Sequence, residues 1–207
     1  MFDRQFFEAP SVEIAPLMLG AVLRHTTPDG SVVVRLTEVE AYLGEADPGS
    51  HAFRGPGKRN AVMYGDPGHL YTYFTYGMHV CANVTCSPAG TASAVLMRGG
   101  EVIDGIELAR ARRPSSRTDA DLARGPARLV VALGITLTEG GADLAATPFE
   151  LTLPDRPLPF AAGPRTGVSG VGGSDDYPWR FWLPGERSVS PYKAHVPKRP
   201  AHPAHPA

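Results

Sequence analysis

The 207 residues predict one mixed domain of strands and short helices, and three observations carry the prediction. The length suffices for a single substantial core and would cramp a second full domain. With 23 glycines and 21 prolines, turns must be frequent and long helices few. Two stretches, Ser31 to Tyr42 and Met78 to Thr85, alternate side-chain character with the period of two expected of strands buried on one face. Packing content ends near Lys193, so the domain is placed at residues 1–193. The Pro-, His- and Ala-rich residues 194–207 are expected to be a disordered tail.

The composition, 43% hydrophobic and 20% charged, is globular, and a formal charge of −1 gives no global pull towards nucleic acid. A local basic patch is compatible with that balanced total. No apolar run is long enough to span a membrane, and Glu8, Pro10 and Glu13 interrupt any signal-peptide pattern. Cys81 and Cys86 fall five apart on one predicted strand and point to opposite faces, which predicts free buried thiols and a reducing, cytoplasmic setting. His51, His69 and His79 lack the close spacing of zinc ligands, so no metal is expected.

In chain order, Ser11 is a candidate cap for a helix expected over Val12 to Leu23, with Ile14, Leu17, Met18 and Val22 on its apolar face and Pro16 delaying or kinking it. The strand from Ser31 to Tyr42 places Val32, Val34 and Leu36 on one face, followed on that same face by Glu38, Glu40 and Tyr42. A carboxylate at the end of a core-facing row is costly to bury, and burial raises a carboxyl pKa, which is one route to a general base. A lone glutamate there is more often a solvated or ion-paired group; sharing a face with Tyr42 is what singles out Glu40. Leu43 to Asn60 reads as loop and contains His51.

LYTYFTYGMHVCAN, from Leu70 to Asn83, is expected to be a tight hairpin turning at Tyr76-Gly77. Tyr71 and Tyr73 share one face of its first arm. Tyr76 falls at the tip, where a ring forfeits on the order of 2 kcal/mol of burial, so it is expected to meet something outside the protein. Ala92 to Met97 is a further buried strand ending in Arg98, whose charge needs an anion, either a protein carboxylate or a phosphate. Glu101 to Arg112 reads as a helix with Ile103, Ile106 and Leu108 inward, its end crowded by Arg110, Arg112, Arg113 and Arg117. Another helix runs from Gly125-Pro126 to Gly134. Phe149 to Leu153, Gly163 to Val171 and Trp179 to Leu183 complete the strands.

Taken in order, TEVEAYLG, His51, KRNAVMYG, LYTYFTYGMHVCAN, AVLMRGGE and RGPARL resemble the alkyladenine (3-methyladenine, methylpurine) DNA glycosylase family. The resemblance runs from FFEAP through VSPYK. It implies an α+β fold, a single mixed domain built on a curved, mostly antiparallel sheet with surrounding helices. The activity it implies is hydrolysis of the N-glycosidic bond of alkylated or deaminated purines (3-methyladenine, 7-methylguanine, hypoxanthine) flipped out of duplex DNA, leaving an abasic site without metal or cofactor. The implied partner is double-stranded DNA with damaged purines, met by a monomer in the cytoplasm, with no membrane.

Position by position, the resemblance makes Glu40 the general base and puts Arg98 beside the flipped nucleotide's backbone as a second catalytic group. It gives Tyr42, His51 and Tyr73 to the pocket that sandwiches the base, Asn83 to crowding the guanine amino group, and Tyr76 to the gap in the helix. Electron-rich rings suit a cationic alkylated purine by roughly 0.5 to 2 kcal/mol, and a carboxylate suits an oxocarbenium-like transition state. His79 stands where the family pattern has an aromatic, Gly99-Gly100 where it has a bulkier pair, and Pro114 to Ala123 is short; these bear on substrate range. Three other readings compete. Glu38 and Glu40 as a carboxylate pair ranks low, since residues two apart on a strand point the same way. A non-catalytic damaged-DNA binder would not require Glu40, and a nucleoside hydrolase would not require Tyr76.

Overall fold

The computed structural model describes residues 3–75 and 79–196, and its centre is one long strand. In chain order the elements are α1 (Ser11–Leu17), β1 (Val22–Thr27), β2 (Gly30–Tyr42), β3 (Leu70–Thr75), β4 (His79–Thr85), β5 (Ala94–Asp104), α2 (Ile106–Arg112), α3 (Pro126–Leu133), β6 (Phe149–Thr152), β7 (Ala161–Gly163) and β8 (Arg180–Trp182). The strands form one open sheet in the order β3-β4-β5-β2-β1-β6, and every pairing among them is antiparallel. The fold is α+β, as expected.

One edge of β2 pairs with β5 along its length, while the other changes partner. Its first half lies against β1, with Val22 opposite Arg35, and its second half against β8, with Glu38 opposite Trp182. The change coincides with a pair of bulges. Leu36 faces Gly100 and Glu38 faces Gly99, leaving Thr37 as an extra residue on β2; Val39 then faces Met97, leaving Arg98 as the extra residue on β5. Each bulge slips its strand by one residue and exchanges the two faces.

That exchange corrects the expectation for β2. Val32, Val34 and Leu36 do enter the core, but beyond the bulge it is Val39 and Ala41 that continue their row. Glu38, Glu40 and Tyr42 stand on the opposite face. On β5, Val95 and Met97 likewise go to the core and Leu96 and Arg98 to the other side. The glycines opposite the bulge are required by it. A Cβ on Gly99 would lie 3.0 Å from Ser188 O and 3.1 Å from Glu38 Oε2, and one on Gly100 would collide with Val34 Cγ1 and the Arg35 carbonyl. Gly100→Ala is therefore expected to destabilise by about 1 to 3 kcal/mol, seen as a Tm loss of about 2 to 4 °C for each kcal/mol. An unchanged melt would show that the bulge has slack.

Three helical and strand boundaries also differ from expectation. The first helix stops at Leu17, and Gly20, with φ 86°, turns the chain so that Val22 begins β1. Glu101 to Asp104 extend β5, because pairing with Val33 to Arg35 outweighs a helical pattern; Ile103 is consequently exposed. Gly105, with φ 70°, ends that strand, and only Ile106–Arg112 is helix. The strand expected over Gly163 to Val171 is absent beyond Gly163, where β7 ends, and Arg165 then turns into the interior. The helix between Gly125 and Gly134 is found as predicted, with Gly134 in the left-handed conformation at its C-cap. Cys81 and Cys86 are free and buried. No helix among the described residues is long and apolar enough to cross a membrane.

The main core lies on the face of the sheet covered by the helices, and joins Ile14, Leu23, Leu36, Met97, Leu129 and Leu133. On the other face a smaller cluster of Ala52, Met63, Tyr71, Ala92 and Ala94 supports a cavity.

Candidate active site

The cavity, about 640 Å³, sits on the face of β3, β4, β5 and β2 opposite the main core. That volume is in the range of small-ligand sites. Its floor follows from register: Tyr71 pairs with Asn83, Asn83 with Leu96 and Leu96 with Glu40, so one row of side chains crosses four strands. Tyr73 and Cys81 form the next pair on β3 and β4, and Tyr42 follows Glu40 on β2. Of the residues selected from sequence, Glu40, Tyr42, His51, Tyr73, Asn83 and Arg98 all line this one cavity. Tyr76 lies outside the described residues.

Glu40 is fully buried yet forms part of the cavity wall. Its Oε2 accepts from the Tyr42 hydroxyl at 2.9 Å and its Oε1 from the Thr166 N–H at 2.7 Å. Arg98 Nε stands 3.5 Å from Oε1. The carboxylate is thus held in place from three sides.

Glu38, also fully buried, has no such opening. It accepts from Arg98 Nε at 2.9 Å, Arg180 Nε at 2.6 Å, the Ser190 N–H at 2.7 Å and the Ser190 hydroxyl at 3.0 Å. Glu38 thus has four donors, holds Arg98 and has no place in the cavity lining, a geometry that argues against the paired-carboxylate alternative. Arg98 thereby finds its anion in protein carboxylates. Burial alone would lower the Arg98 pKa, but Glu40 and Glu38 outweigh it and hold the guanidinium above its ordinary value. Only Nε of this side chain is hydrogen-bonded among the described residues, and the guanidinium lines the cavity.

The ring wall comes from β3 and the loop after β2. Tyr71 and Tyr73 have centroids 5.7 Å apart, and His51 meets Tyr73 edge-on at 4.4 Å. His51 Nδ1 lies 3.2 Å from the Tyr71 hydroxyl. His51 is exposed at the surface, yet burial of part of its ring first and the Arg59 charge second lower its pKa to about 4, so it is neutral at pH 7. Burial pushes the Tyr71 phenol up to about 12 and raises Tyr73 further, with Cys81 contributing. Tyr42 is raised well above its ordinary value by burial and then by Glu40. At neutral pH the wall is therefore uncharged and electron-rich. Asn83 is anchored by Nδ2 donating to the Tyr71 carbonyl at 3.0 Å.

Sequence reasoning missed the frame behind these groups. Arg165, 1% exposed, pairs with Asp47 through both terminal nitrogens at 2.5 and 2.6 Å and donates to the carbonyls of Ala41 and Gly172. Its guanidinium carbon lies 4.6 Å from the centroid of the Tyr42 ring, and the next residue supplies the N–H that holds Glu40. Asp47 also accepts from the N–H groups of Leu43 and Gly49, fixing the loop that leads to His51. Nothing local in the sequence marks two residues this far apart as partners. Tyr71 was legible, sharing a face with Tyr73, and went unassigned.

The cavity mouth is basic. Arg124, Arg128 and Lys193 line it together with the first turn of α3, and Arg59 stands over the Tyr73 ring at 5.7 Å. The local patch that the balanced total charge left open lies here.

Comparison with known proteins agrees with this geometry. The family model for methylpurine-DNA glycosylase (MPG) matches residues 5–187. A protein of Leifsonia xyli is 64% identical over 197 residues, covering 93% of this chain and 92% of the relative. One of Streptomyces avermitilis is 54% identical over 202 residues, covering 95% and 93%. One of Nocardia farcinica is 55% identical over 186 residues, covering 85% and 84%. The names of all three describe them as 3-methyladenine DNA glycosylases.

Proposed function

The chain belongs to the methylpurine-DNA glycosylase family and is a DNA-3-methyladenine glycosylase, and from that premise we propose that it excises alkylated or deaminated purines flipped out of duplex DNA into the cavity, leaving an abasic site. The observation that carries the proposal is the Glu40 carboxylate, fixed by Tyr42, Thr166 and Arg98 at the wall of a cavity lined by aromatic rings. A flipped purine lies against the Tyr73, Tyr71 and His51 side, with Tyr42 beside the carboxylate. Electron-rich, uncharged rings favour a cationic alkylated base over a normal one.

In the chemical step water adds to the sugar C1′ as the bond to the base nitrogen breaks, and the bond's electron pair leaves with the purine. An alkylated purine departs neutral and requires no proton, whereas hypoxanthine departs as an anion that takes its proton from water. Glu40 stabilises the positive sugar and takes the proton from water. Arg98, held by Glu38, presents its terminal N–H groups to the backbone of the flipped nucleotide. Tyr76 is assigned to the gap left in the helix, and Asn83 to the face of the pocket that rejects the guanine amino group. Extrusion costs a few kcal/mol and least for a damaged base, which adds to selectivity.

The test is a panel of duplex oligonucleotides carrying 3-methyladenine, 7-methylguanine or hypoxanthine, incubated with protein and then with alkali. Strand cleavage at the lesion is the expected result. Intact strands across the whole panel would overturn the proposal.

A further inference from the structure

A second cleft, about 540 Å³, is lined by arginines and hydroxyls: Arg110, Arg117, Arg187, Ser116 and Thr118, with Asp119 as its one acid. Asp119 is already taken, since Arg110 binds it at 2.8 Å and also reaches Glu107. Arg117 and Arg187 are exposed and have no hydrogen bond or ion pair among the described residues. Behind Ser116 stands Arg113, which donates to the serine hydroxyl at 3.1 Å and has a buried Nε with no partner. Burial, and after it the nearby Arg128 charge, lower the Arg113 pKa. Gathering guanidinium groups around one satisfied carboxylate is repulsive unless an anion joins them.

Two contacts tie the cleft to the mouth of the base cavity. Arg128, on that mouth, pairs with Asp121 at the end of the turn that lines the cleft. Arg124, also on the mouth, donates to the carbonyl of Val189, two residues from Arg187. Only Ala120 and Leu122 are apolar in the lining, and no aromatic ring is present to stack a base. The anion it suits is therefore a phosphate without a ring against it.

We infer that this cleft seats backbone phosphates of the substrate duplex flanking the flipped nucleotide, so that the DNA track extends from the base cavity past Arg128 to Arg117 and Arg187. The inference rests on the glycosylase reading for its choice of partner. Each phosphate neutralised steepens the salt dependence of binding by close to one unit in the log–log slope.

The experiment measures anisotropy of a labelled lesion-free duplex of about 20 base pairs with the full chain, from about 50 to about 200 mM salt. The Arg117→Ala/Arg187→Ala double variant is expected to bind more weakly with a slope shallower by about 2. Arg156→Ala, at an exposed arginine lining neither cavity, is the control and keeps the wild-type slope. An unchanged slope in the double variant, or an equal change in the control, overturns the inference. So does heat stabilisation of the wild type, but not the double variant, by inorganic phosphate when the DNA slope is unchanged, since the cleft then holds a free anion. Wild-type protein that excises lesions while the double variant keeps its slope defeats this inference alone. Slope loss in a protein that excises nothing defeats the glycosylase reading and leaves the phosphate seat standing.

Discussion

Glu40→Gln is expected to lose excision by about 10²- to 10⁴-fold, the usual contribution of a positioned general base, while lesion-containing duplex still binds within a few-fold of wild type. The substitution keeps size and hydrogen bonding. Its amide oxygen can accept the Thr166 N–H and its amino group can donate to the Tyr42 oxygen, the two partners that now hold the carboxylate. Arg98 keeps its closer carboxylate, Glu38, so no buried charge is stranded. What disappears is the negative charge and the ability to accept a proton from water. Single-turnover excision on a hypoxanthine or methylpurine duplex measures the first quantity and anisotropy on the same duplex the second. Wild-type excision by Glu40→Gln would remove Glu40 from the chemistry.

Much of this site was readable from one chain because its parts lie on regular strands. Tyr71 and Tyr73 alternate on β3, Glu40 and Tyr42 on β2, and the period of two assigns each pair to one face wherever the strand breaks. The face itself was misread. The extra residue at Thr37 turns Glu38, Glu40 and Tyr42 away from the row of Val32, Val34 and Leu36, and a bulge depends on the partner strand, which a local period does not report. Gly99-Gly100 looked like a departure from the family pattern; the close approach of Ser188 and Glu38 explains Gly99, and that of Val34 and Arg35 explains Gly100. Glu101 to Asp104 carry a helical pattern locally, and strand pairing with β2, a tertiary fact, overrides it. Least legible was Arg165 with Asp47, since each alone is an ordinary surface residue type in a loop.

That pair is where a substitution far from the reacting atoms is expected to have the largest effect on stability. Asp47→Ala leaves the Arg165 guanidinium, 1% exposed, with two carbonyls and no carboxylate hydrogen-bonded to it. Removing one partner of a buried ion pair costs about 3 to 5 kcal/mol, far more than the pair itself contributes. Unfolding in urea is expected to show that loss in the midpoint with the slope unchanged. Arg165→Met alone strands Asp47 instead, although Leu43 and Gly49 still donate to it. The double variant Asp47→Ala/Arg165→Met should be more stable than the sum of the two singles implies, because no charge is left unpaired. Function separates from stability in the same proteins. Without Arg165 against the Tyr42 ring and ahead of Thr166, the two donors that fix Glu40 lose their support. The double variant is therefore expected to fold yet excise slowly. Strict additivity in urea, or wild-type excision by the folded double variant, would show that Arg165 and Asp47 neither depend on each other nor hold the carboxylate in place.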